Sequence, residues 1–413
     1  MPALRGLSLD PEAGGGMTTA AILTLNAGSS SLKLALYPAA EDRPLVTGLV
    51  DRIGGNGTLH LRDAAGADIP VAASSGDFAS HAAALNRVLP ALDTAFPGLQ
   101  VLAVGHRIVH GGPDHVAPVL VDEAMLVRLA GLSPLAPLHQ PHNIAGIRAA
   151  MAAFPGAPQV ACFDTAFHRG QPFVAEAYAL PRAYYDKGVR RYGFHGLSYQ
   201  SIAGRLADIA PGIAGGRVIV AHLGNGASMC AMRDGRSVAS TMGFSPLDGL
   251  PMGTRSGQID PGVLLYLMQE EGMQAPAISD LLYRGAGLLG LSGLSSDMRV
   301  LEASDSVIAR EAIAYFVYRC QREIGSLAAA LGGLDALVFC GGIGENSRRI
   351  RADICAGLGW MGIALDGARN AANATWLGTD DAPVRVMAIP TDEESVIAAA
   401  ARRLTSGDRT ETG

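Results

Sequence analysis

The sequence has very little lysine and no basic patch. Lys33 and Lys187 are the only lysines among the 32 basic residues, and the formal net charge is −6. Proteins that bind nucleic acid normally concentrate positive charge on one face, so nucleic acid is not an expected partner. A phosphate ligand would have to be bound by individual arginines, backbone N–H groups and metal ions.

Cysteines and long apolar runs are also scarce. The five cysteines are scattered without a Cys-x-x-Cys spacing, which predicts buried thiols in a reducing cytosol and argues against disulfides or zinc ligands. No uninterrupted apolar stretch is long enough to span a bilayer, and residues 1–16 lack the apolar core of a signal peptide. We therefore expect a cytoplasmic protein with no membrane partner. We also expect residues 1–20 to be a disordered tail, or to include a leader upstream of a start at Met17.

Two segments, one in each half of the chain, have the same sequence pattern. Residues 22–36 and 218–232 each consist of an apolar run, a turn rich in Gly, Ser or Asn, and a second apolar run. Each predicts a β-hairpin whose tip carries oriented backbone N–H groups, a nest that suits a phosphate. A polar hairpin without a ligand is the alternative for either segment alone. The repeat suggests a duplicated fold with a phosphate chain held between its halves.

Strands and helices alternate along the rest of the chain. The patterns predict strands within 45–73 and at 101–104, 160–163 and 336–340, and helices near 80–95, 262–273, 307–330 and 393–404. This alternation is typical of an α/β fold. At 413 residues the chain is long enough for two or three domains.

Polar side chains in loops are the candidates for chemistry. Arg107 and Arg255 lie in glycine-bounded loops and can form bidentate contacts with a carboxylate or a phosphate, although each could instead brace a backbone carbonyl. Asp164 follows a predicted buried strand, where α/β enzymes place functional residues; its alternative role is to cap the next segment. His195 lies in the small-residue loop 192–196 and not on an apolar face, so it is a candidate too.

Other polar residues have weaker or purely structural interpretations. His139 is a weaker candidate, and His168 is expected to be a surface histidine. Thr391 and Glu394 fit a capping box at the start of the last helix. Glu393 is then free to bind a metal, although an acidic residue is also favourable at a helix N-terminus for electrostatic reasons alone.

Familiar nucleotide-binding motifs are misleading or missing. Residues 285–290 match Gly-x-Gly-x-x-Gly, but they follow a helix-like run over 278–284 and not a strand, so the Rossmann context is lacking. The sequence contains no P-loop lysine motif and no protein-kinase signature. A nucleotide would therefore be bound in another way.

Ten motifs resemble those of the acetate kinase (acetokinase) family. They occur in the family's order from about residue 22 to about residue 404, which is nearly the whole chain. The motifs are NAGSSSLK (26–33), GHRIVHGG (105–112), APLH (136–139), FDTAFH (163–168), YGFHG (192–196), HLGNGAS (222–228), GLPMGTRSGQIDP (249–261), SGLSSDMR (292–299), GGIGENS (341–347) and IPTDEE (389–394).

The resemblance implies an α/β fold of two duplicated actin-like (ribonuclease H-like) domains with a nucleotide cleft between them. It places residues 21–164 and 393–404 in an N-terminal domain and residues 165–392 in a C-terminal nucleotide-binding domain. Residues 405–413 would be a polar tail. It also implies a homodimer.

The resemblance further implies a reaction and a set of site residues. The reaction is a reversible phosphoryl transfer from ATP to acetate, which gives ADP and acetyl phosphate with Mg²⁺ or Mn²⁺. The implied catalytic residues are Asp164, His195, Arg255 and Arg107, and the implied metal residues are Asn26 and Glu393. The implied nucleotide-binding residues are Lys33, Ser29, Ser31, His222, Leu223, Gly224, Asn225, Gly226, Asp297, Met298, Arg299, Gly342, Ile343, Gly344, Glu345 and Asn346. The implied substrate-binding residues are Arg107, Val109, Leu138, His139, Phe194 and Pro246.

The chain departs from the family's pattern at a few positions. After His195-Gly196 it has Leu197-Ser198-Tyr199, where the family usually has Thr-Ser-His. Met298 and Cys340 stand where a larger aromatic residue and a threonine are more usual. These departures bear on nucleotide preference and rate, and they remove none of the implied site residues.

Two other functions stay open at this point. One is a kinase for propionate or another short-chain acid; Val109 favours acetate, because a smaller residue there would lengthen the pocket. The other is a non-catalytic, ATP-driven protein of the same superfamily. Such a protein would not need loop arginines and His195 to hold an acyl phosphate.

Overall fold

The computed structural model describes residues 19–28, 30–71, 74–137 and 139–406. Residues 1–18 of the predicted N-terminal tail lie outside the described residues. Residues 407–413 of the predicted C-terminal tail lie outside them too. The chain divides into two compact units. The first contains residues up to His106, His142–Val160 and residues from Ala398; the second contains Arg107–Pro141 and Ala161–Ile397.

The first sheet has the strand order β5-β4-β3-β2-β1-β6-β8-β7. Its strands are β1 (Ala20–Ala27), β2 (Ser31–Pro38), β3 (Val46–Asp51), β4 (Asn56–Asp63), β5 (Ser75–Asp77), β6 (Gln100–Ile108), β7 (Val119–Leu120) and β8 (Gln159–Phe163). β1 and β2 form the predicted first hairpin, with Asn26 paired with Lys33. β1 is buried along almost its whole length because it is a central strand.

The second sheet has the order β11-β10-β9-β12-β13. Its strands are β9 (Arg217–Leu223), β10 (Ala227–Arg233), β11 (Arg236–Ser240), β12 (Ala336–Cys340) and β13 (Arg385–Ala388). β9 and β10 form the predicted second hairpin, and β9 pairs in parallel with β12. The first sheet repeats this arrangement, because β1 pairs antiparallel with β2 and in parallel with β6. The predicted duplicated α/β fold is thereby confirmed.

Helices connect the strands and cover the sheets. They are α1 (His81–Ala95), α2 (Glu123–Gly131), α3 (Gln140–Ala153), α4 (Phe173–Glu176), α5 (Arg182–Asp186), α6 (Gly196–Ile209), α7 (Pro211–Ala214), α8 (Pro261–Gln269), α9 (Ala275–Asp280), α10 (Gly287–Ser292), α11 (Met298–Glu302), α12 (Val307–Leu331), α13 (Gly341–Asn346), α14 (Arg348–Ala356), α15 (Gly367–Ala371) and α16 (Glu393–Thr405). Within the described ranges, no helix is both long enough and apolar enough to cross a membrane.

Each unit has its own hydrophobic core. In the first unit, side chains of β1–β4 pack with those of α1, including Leu85 and Val88. In the second unit, α12 packs through Ile313 and Phe316 with one set of side chains of the second sheet. Tyr199 and Ile202 of α6 pack with another set. All five cysteines are buried free thiols, as predicted.

The last helix is not capped as predicted. Its N-cap carboxylate belongs to Asp392, whose Oδ1 accepts a hydrogen bond from the Ser395 N–H at 3.0 Å. The hydroxyl of Thr391 lies instead 2.8 Å from Ser198 Oγ. The capping box of Thr391 and Glu394 was therefore wrong, because a tertiary contact engages the threonine and the next residue is an equally good cap.

His168 is also not the surface residue that the sequence predicted. Its side chain is fully buried, with Nδ1 at 2.7 Å from Ser237 Oγ and Nε2 at 3.0 Å from the Phe194 carbonyl oxygen. A Cβ on Gly193 would lie only 2.5 Å from His168 Cγ. His168 therefore braces the loop that carries His195.

Buried histidines predict a loss of stability in mild acid. Burial lowers the pKa of His106 and His168 from 6.5 to about 4 and that of His110 to about 3. Below pH 6.5 the unfolded chain takes up protons that the folded protein does not, so the free energy of unfolding falls as the pH falls. We expect a loss of about 2 kcal/mol for each of these histidines between pH 7 and pH 5.

Denaturant unfolding at pH 7, 6 and 5 measures this loss. The exposed His60 provides the control, because His60→Ala removes a histidine that is not buried. A free energy of unfolding that stays constant between pH 6.5 and pH 5 would contradict the prediction.

Candidate active site

Arg107 and Asp164 meet at the ends of neighbouring strands. Arg107 lies near the end of β6 and Asp164 directly follows β8, and the Asp164 N–H donates to the Ile108 carbonyl at 2.9 Å. This backbone bond places the two side chains together. Arg107 donates to Asp164 through Nε at 3.0 Å and through Nη2 at 2.7 Å, so the pair is bidentate.

A second carboxylate contacts Arg107. Glu393, the first residue of α16, has Oε2 at 3.7 Å from Arg107 Nε. Burial alone would lower the pKa of Arg107, but the negative charges of Asp164 and Glu393 outweigh it and raise the pKa. Burial also raises the pKa of Asp164, against the effect of Arg107. Arg107 is therefore a fixed cation held by two acidic side chains.

His195 lies in a strained turn immediately before α6. Its φ of 58° is in the left-handed region that side chains rarely adopt. Its Nδ1 lies 2.8 Å from Ser228 Oγ of β10, and its ring centroid lies 4.5 Å from that of His222. Burial, followed by the charges of His222, Arg107 and Arg255, lowers the pKa of His195 well below 6.5. The imidazole is therefore neutral at pH 7.

Arg255 is a second, half-buried cation close to His195. Its Nη1 donates to the Pro246 carbonyl at 2.9 Å. A Cβ added to Gly226 would lie 3.2 Å from Arg255 Nη2 and 3.4 Å from His195 Nε2, so all three residues are neighbours. Burial lowers the pKa of Arg255, although a guanidinium stays protonated at neutral pH.

Arg255 differs from Arg107 in its charge balance. No acidic side chain of the described residues forms an ion pair with Arg255, whereas Arg107 has two. Removing a charge from water, even in part, is costly unless the charge is paired. The arrangement therefore favours an anion that supplies the missing negative charge beside Arg255 and His195.

A cavity of about 690 Å³ lies in the second unit. Its lining includes eight of the residues that the sequence predicted for the nucleotide: Gly224, Asn225, Asp297, Met298, Arg299, Gly342, Ile343 and Asn346. Gly226, which touches Arg255 and His195, follows directly after Asn225. The turn of the second hairpin thus connects this cavity to the cationic residues.

Sequence reasoning missed three residues of this cavity, namely Ser296, Glu302 and Ser347. Ser296 and Ser347 lie inside two of the quoted motifs, so the motifs themselves were a sufficient signal. Glu302 lies one helical turn after Met298 on α11, and Ser347 Oγ donates to its Oε1 at 2.7 Å. Helical spacing from Met298 could have identified it.

Other residues predicted for the nucleotide do not line this cavity. Leu223 is fully buried in the core. His222 Nδ1 lies 2.7 Å from Ser198 Oγ. Glu345 Oε1 accepts hydrogen bonds from the N–H groups of Gly341 and Thr391 at 2.9 and 3.2 Å, which holds the turn after β12. The Gly344 carbonyl accepts from Arg351 at 2.9 Å.

Three residues predicted for an acyl pocket, Val109, Phe194 and Pro246, are apolar and buried. Val109 and Phe194 belong to one hydrophobic cluster, and Pro246 is the buried residue whose carbonyl accepts from Arg255. His139 is half-buried in the turn before α3. Leu138, and Ser29 of the predicted nucleotide set, lie outside the described residues.

The remaining predicted residues belong to the first unit. Asn26 is buried at the end of β1, Ser31 begins β2, and Lys33 is exposed on β2. The carbonyl of Gly28, in the turn between these strands, lies 2.8 Å from His81 Nε2. This contact fixes the hairpin tip within its own unit.

The side chains near Arg107 are compatible with a magnesium ion. Within the described residues, no three His, Cys, Asp or Glu side chains form a ready-made metal cage. Mg²⁺ usually keeps several waters and binds through one or two carboxylates together with substrate phosphates. Glu393, with a side chain 13% exposed, satisfies that modest requirement.

Comparison with known proteins identifies the family. Residues 21–399 match the model of the acetokinase family. An acetate kinase of Methylocella silvestris is 57% identical over 91% of this chain and 96% of its own length. The crystal structure of Porphyromonas gingivalis acetate kinase has a TM-score of 0.83 and 37% identity, covering 92% of this chain and 98% of that one. A propionate kinase structure from Francisella tularensis has a TM-score of 0.86 and 36% identity, covering 93% and 99%. The chain belongs to the acetokinase family.

Proposed function

We propose that this protein is an acetate kinase, which reversibly converts ATP and acetate into ADP and acetyl phosphate. The observation that carries the proposal is the half-buried Arg255, which has no acidic partner among the described residues, beside neutral His195 and connected by Gly226 to the nucleotide-sized cavity. A non-catalytic ATP-driven protein would have no use for such an anion site. The family relationship supports the same conclusion.

The chemistry needs charge stabilisation more than proton transfer. At neutral pH the acetate carboxylate is already deprotonated, so one of its oxygens can attack the γ-phosphorus of ATP without a general base. A new O–P bond forms as the bond to the ADP oxygen breaks. Both reactants are anions, so catalysis depends on positioning and on compensating negative charge.

Each charged residue then has a distinct task. Arg107 and Arg255 hold the carboxylate and the transferring phosphoryl group, and Asp164 fixes the direction of the Arg107 guanidinium. Neutral His195 can donate a hydrogen bond to that phosphoryl group without adding a charge. Glu393 and Asn26 are proposed to support Mg²⁺ or Mn²⁺, which neutralises phosphate charge when bound. Ser29, Ser31 and Lys33 are proposed to act on the phosphates.

A hydroxylamine trapping assay tests the reaction. Purified protein, Mg-ATP and hydroxylamine are incubated with acetate, propionate or butyrate, and the acyl hydroxamate is quantified. We expect acetate to give the highest kcat/KM. ATP hydrolysis without hydroxamate, or no turnover with any acid, would contradict the proposed function.

Val109 is expected to set the preference for acetate. Val109→Ala removes two methyl groups and so enlarges the apolar pocket. One methylene in such a pocket changes the discrimination between two substrates by roughly 10- to 200-fold. We expect the ratio of kcat/KM for propionate to that for acetate to rise at least tenfold. Val317→Ala is the matched control, because Val317 is equally buried in the same hydrophobic cluster. An unchanged ratio in Val109→Ala would show that Val109 does not line the acyl pocket.

A propionate kinase is the second candidate function. The structural similarity to the Francisella propionate kinase favours it, since that protein and the Porphyromonas acetate kinase are nearly equally similar to this chain. Hydroxamate formed most efficiently from propionate would establish this alternative. The cationic residues would act identically in both reactions.

We also propose a homodimer that associates through α8. This helix has no buried residue, and Val263, Leu265, Tyr266 and Met268 are 40–54% exposed. Exposed apolar area of this kind marks an interaction surface. We expect Leu265→Glu to shift the mass measured by light scattering from dimer to monomer. Val127→Glu, at an exposed valine of α2, is expected to leave the mass unchanged.

We also propose a cytoplasmic location. The proposed domains are an N-terminal domain of residues 21–164 and 393–404 and a C-terminal domain of residues 165–392. Five buried free thiols support the location, because a reducing compartment preserves them. Separate expression of residues 165–392 tests whether that range folds by itself.

A further inference from the structure

A buried hydroxyl pair connects His195 to α6. Ser228 Oγ lies 2.8 Å from His195 Nδ1, and the same oxygen contacts the hydroxyl of Tyr199. Tyr199 and Ser228 are both fully buried. Tyr199 also stands at one of the positions where this chain departs from the usual pattern of its family.

The direction of these hydrogen bonds follows from counting protons. Each hydroxyl has one hydrogen to donate. Among the described residues, Ser228 Oγ is the one hydrogen-bond partner found for the Tyr199 hydroxyl. Tyr199 must therefore donate to Ser228, since the opposite direction would leave its buried hydrogen without an acceptor. Burial raises the pKa of Tyr199 well above 10, so this hydrogen is retained at neutral pH.

Ser228 must then direct its own hydrogen elsewhere. Its second partner is His195 Nδ1, 2.8 Å away, which by this count must be the acceptor. When Nδ1 of a neutral imidazole is the acceptor, the ring hydrogen resides on Nε2. His195 Nε2 lies on the side of Gly226 and Arg255, where the anion site was located above.

We propose that Tyr199 is a positioning residue that acts through Ser228 to hold His195 in the tautomer with its hydrogen on Nε2. The catalytic meaning of this arrangement rests on the proposed function. A neutral Nε2–H donor faces the transferring phosphoryl group, whereas the other tautomer would present a lone pair to an anion.

Other side chains surround the rings of His195 and Tyr199. His222 lies against the His195 ring, and the positive charges of Arg107 and Arg255 act on it as well. The position of Tyr199 is itself restricted by edge contacts with the ring of His168, 5.7 Å away between centroids. Loss of one hydroxyl therefore removes the tautomer constraint without removing the imidazole.

The test combines nitrogen NMR of histidine-labelled full-length protein with steady-state kinetics. Nitrogen shifts distinguish the two neutral tautomers, and His195→Gln identifies the His195 signals. We expect Nε2–H in the unmodified protein and a mixture of tautomers in Tyr199→Phe. We expect kcat of Tyr199→Phe to fall roughly tenfold, the effect of one hydrogen bond in the transition state, with unchanged KM values.

Tyr192→Phe is the matched control. Tyr192 is fully buried too, but its hydroxyl donates to the Gly188 carbonyl at 2.7 Å and not to Ser228. We expect this variant to keep the His195 tautomer and kcat, whatever its effect on thermal stability. If Tyr199→Phe does not fold, Ser228→Ala tests the same constraint and is expected to give the same mixture.

Two results would overturn the proposal. One is an Nδ1–H tautomer in the unmodified protein, and the other is unchanged Nε2–H together with unchanged kcat in the folded Tyr199→Phe or Ser228→Ala variant. The NMR result does not depend on turnover. A protein that lacks acyl kinase activity but shows the expected tautomer shift would disprove the proposed function and leave the positioning role of Tyr199 intact.

Discussion

Replacement of Arg255 by alanine is expected to lower kcat by a factor on the order of 10²–10³, as when one donor that stabilises a transition-state charge is removed. Arg255 is half-buried, has no acidic partner among the described residues, and lies beside Gly226 and His195. Its charge is therefore available to a developing anion. Because only one hydrogen bond to the described residues, that to the Pro246 carbonyl, is lost, we expect the variant to remain folded.

Kinetics and thermal unfolding of the same preparations separate these effects. Arg255→Lys keeps the charge but loses the planar fork, so its kcat should lie between those of the original protein and Arg255→Ala. Arg284→Ala is the control, because Arg284 is exposed and, in the part of the chain that the structure describes, pairs only with Asp280 one helical turn away. Near-normal turnover in Arg255→Ala would rule out the role proposed for this residue.

Replacement of Asp164 by asparagine is expected to reduce both stability and turnover. Asp164 is almost fully buried and makes bidentate hydrogen bonds to Arg107. Breaking a buried pair by removing one charge typically costs about 3–5 kcal/mol. The Arg107 guanidinium would also lose its direction, and misplacement by about 1 Å can reduce turnover by roughly 10²-fold.

The control is the same substitution in an exposed pair. Asp280→Asn removes the partner of Arg284, and both side chains are more than 60% exposed. Exposed pairs of this spacing contribute only about 0.3–0.5 kcal/mol. Chemical denaturation measures both variants. Equal losses of unfolding free energy in Asp164→Asn and Asp280→Asn would show that the Arg107–Asp164 pair does not behave as a buried pair.

Local patterns made much of the fold predictable. Both hairpins, the long helix α12 and the strand β12 follow from short-range apolar periodicity and turn residues, and all four are present. The repeat of the hairpin was enough to predict the duplication. These features need only neighbouring residues, which a sequence displays directly.

Tertiary contacts decided the features that were predicted wrongly. A histidine beside an arginine is typical of a surface, but a serine 69 positions away fixes His168 in the interior. Thr391 has the residue type of a helix cap, but Ser198 engages its hydroxyl from 193 positions away. Neither partner is visible in the local sequence.

In the candidate site, too, the sequence predicted which residues take part but not which residues they contact. Glycine-bounded loops and strand ends indicated Arg107, Asp164, Arg255 and His195. The sequence did not show that Arg107 has two acidic partners while Arg255 has none, because Asp164 lies 57 positions from Arg107. That difference arises only when the strands are placed side by side.

The use of arginine at both cationic positions has a chemical consequence for an enzyme that makes an acyl phosphate. Acyl phosphates donate their acyl group to unprotonated amines, and lysine is the side chain that becomes acetylated. A guanidinium remains protonated, so Arg107 and Arg255 can hold such a product without being consumed by it. Lys33 and Lys187 are both exposed and are the only lysine amines in the chain. The protein therefore offers its own reactive product very few sites for self-modification.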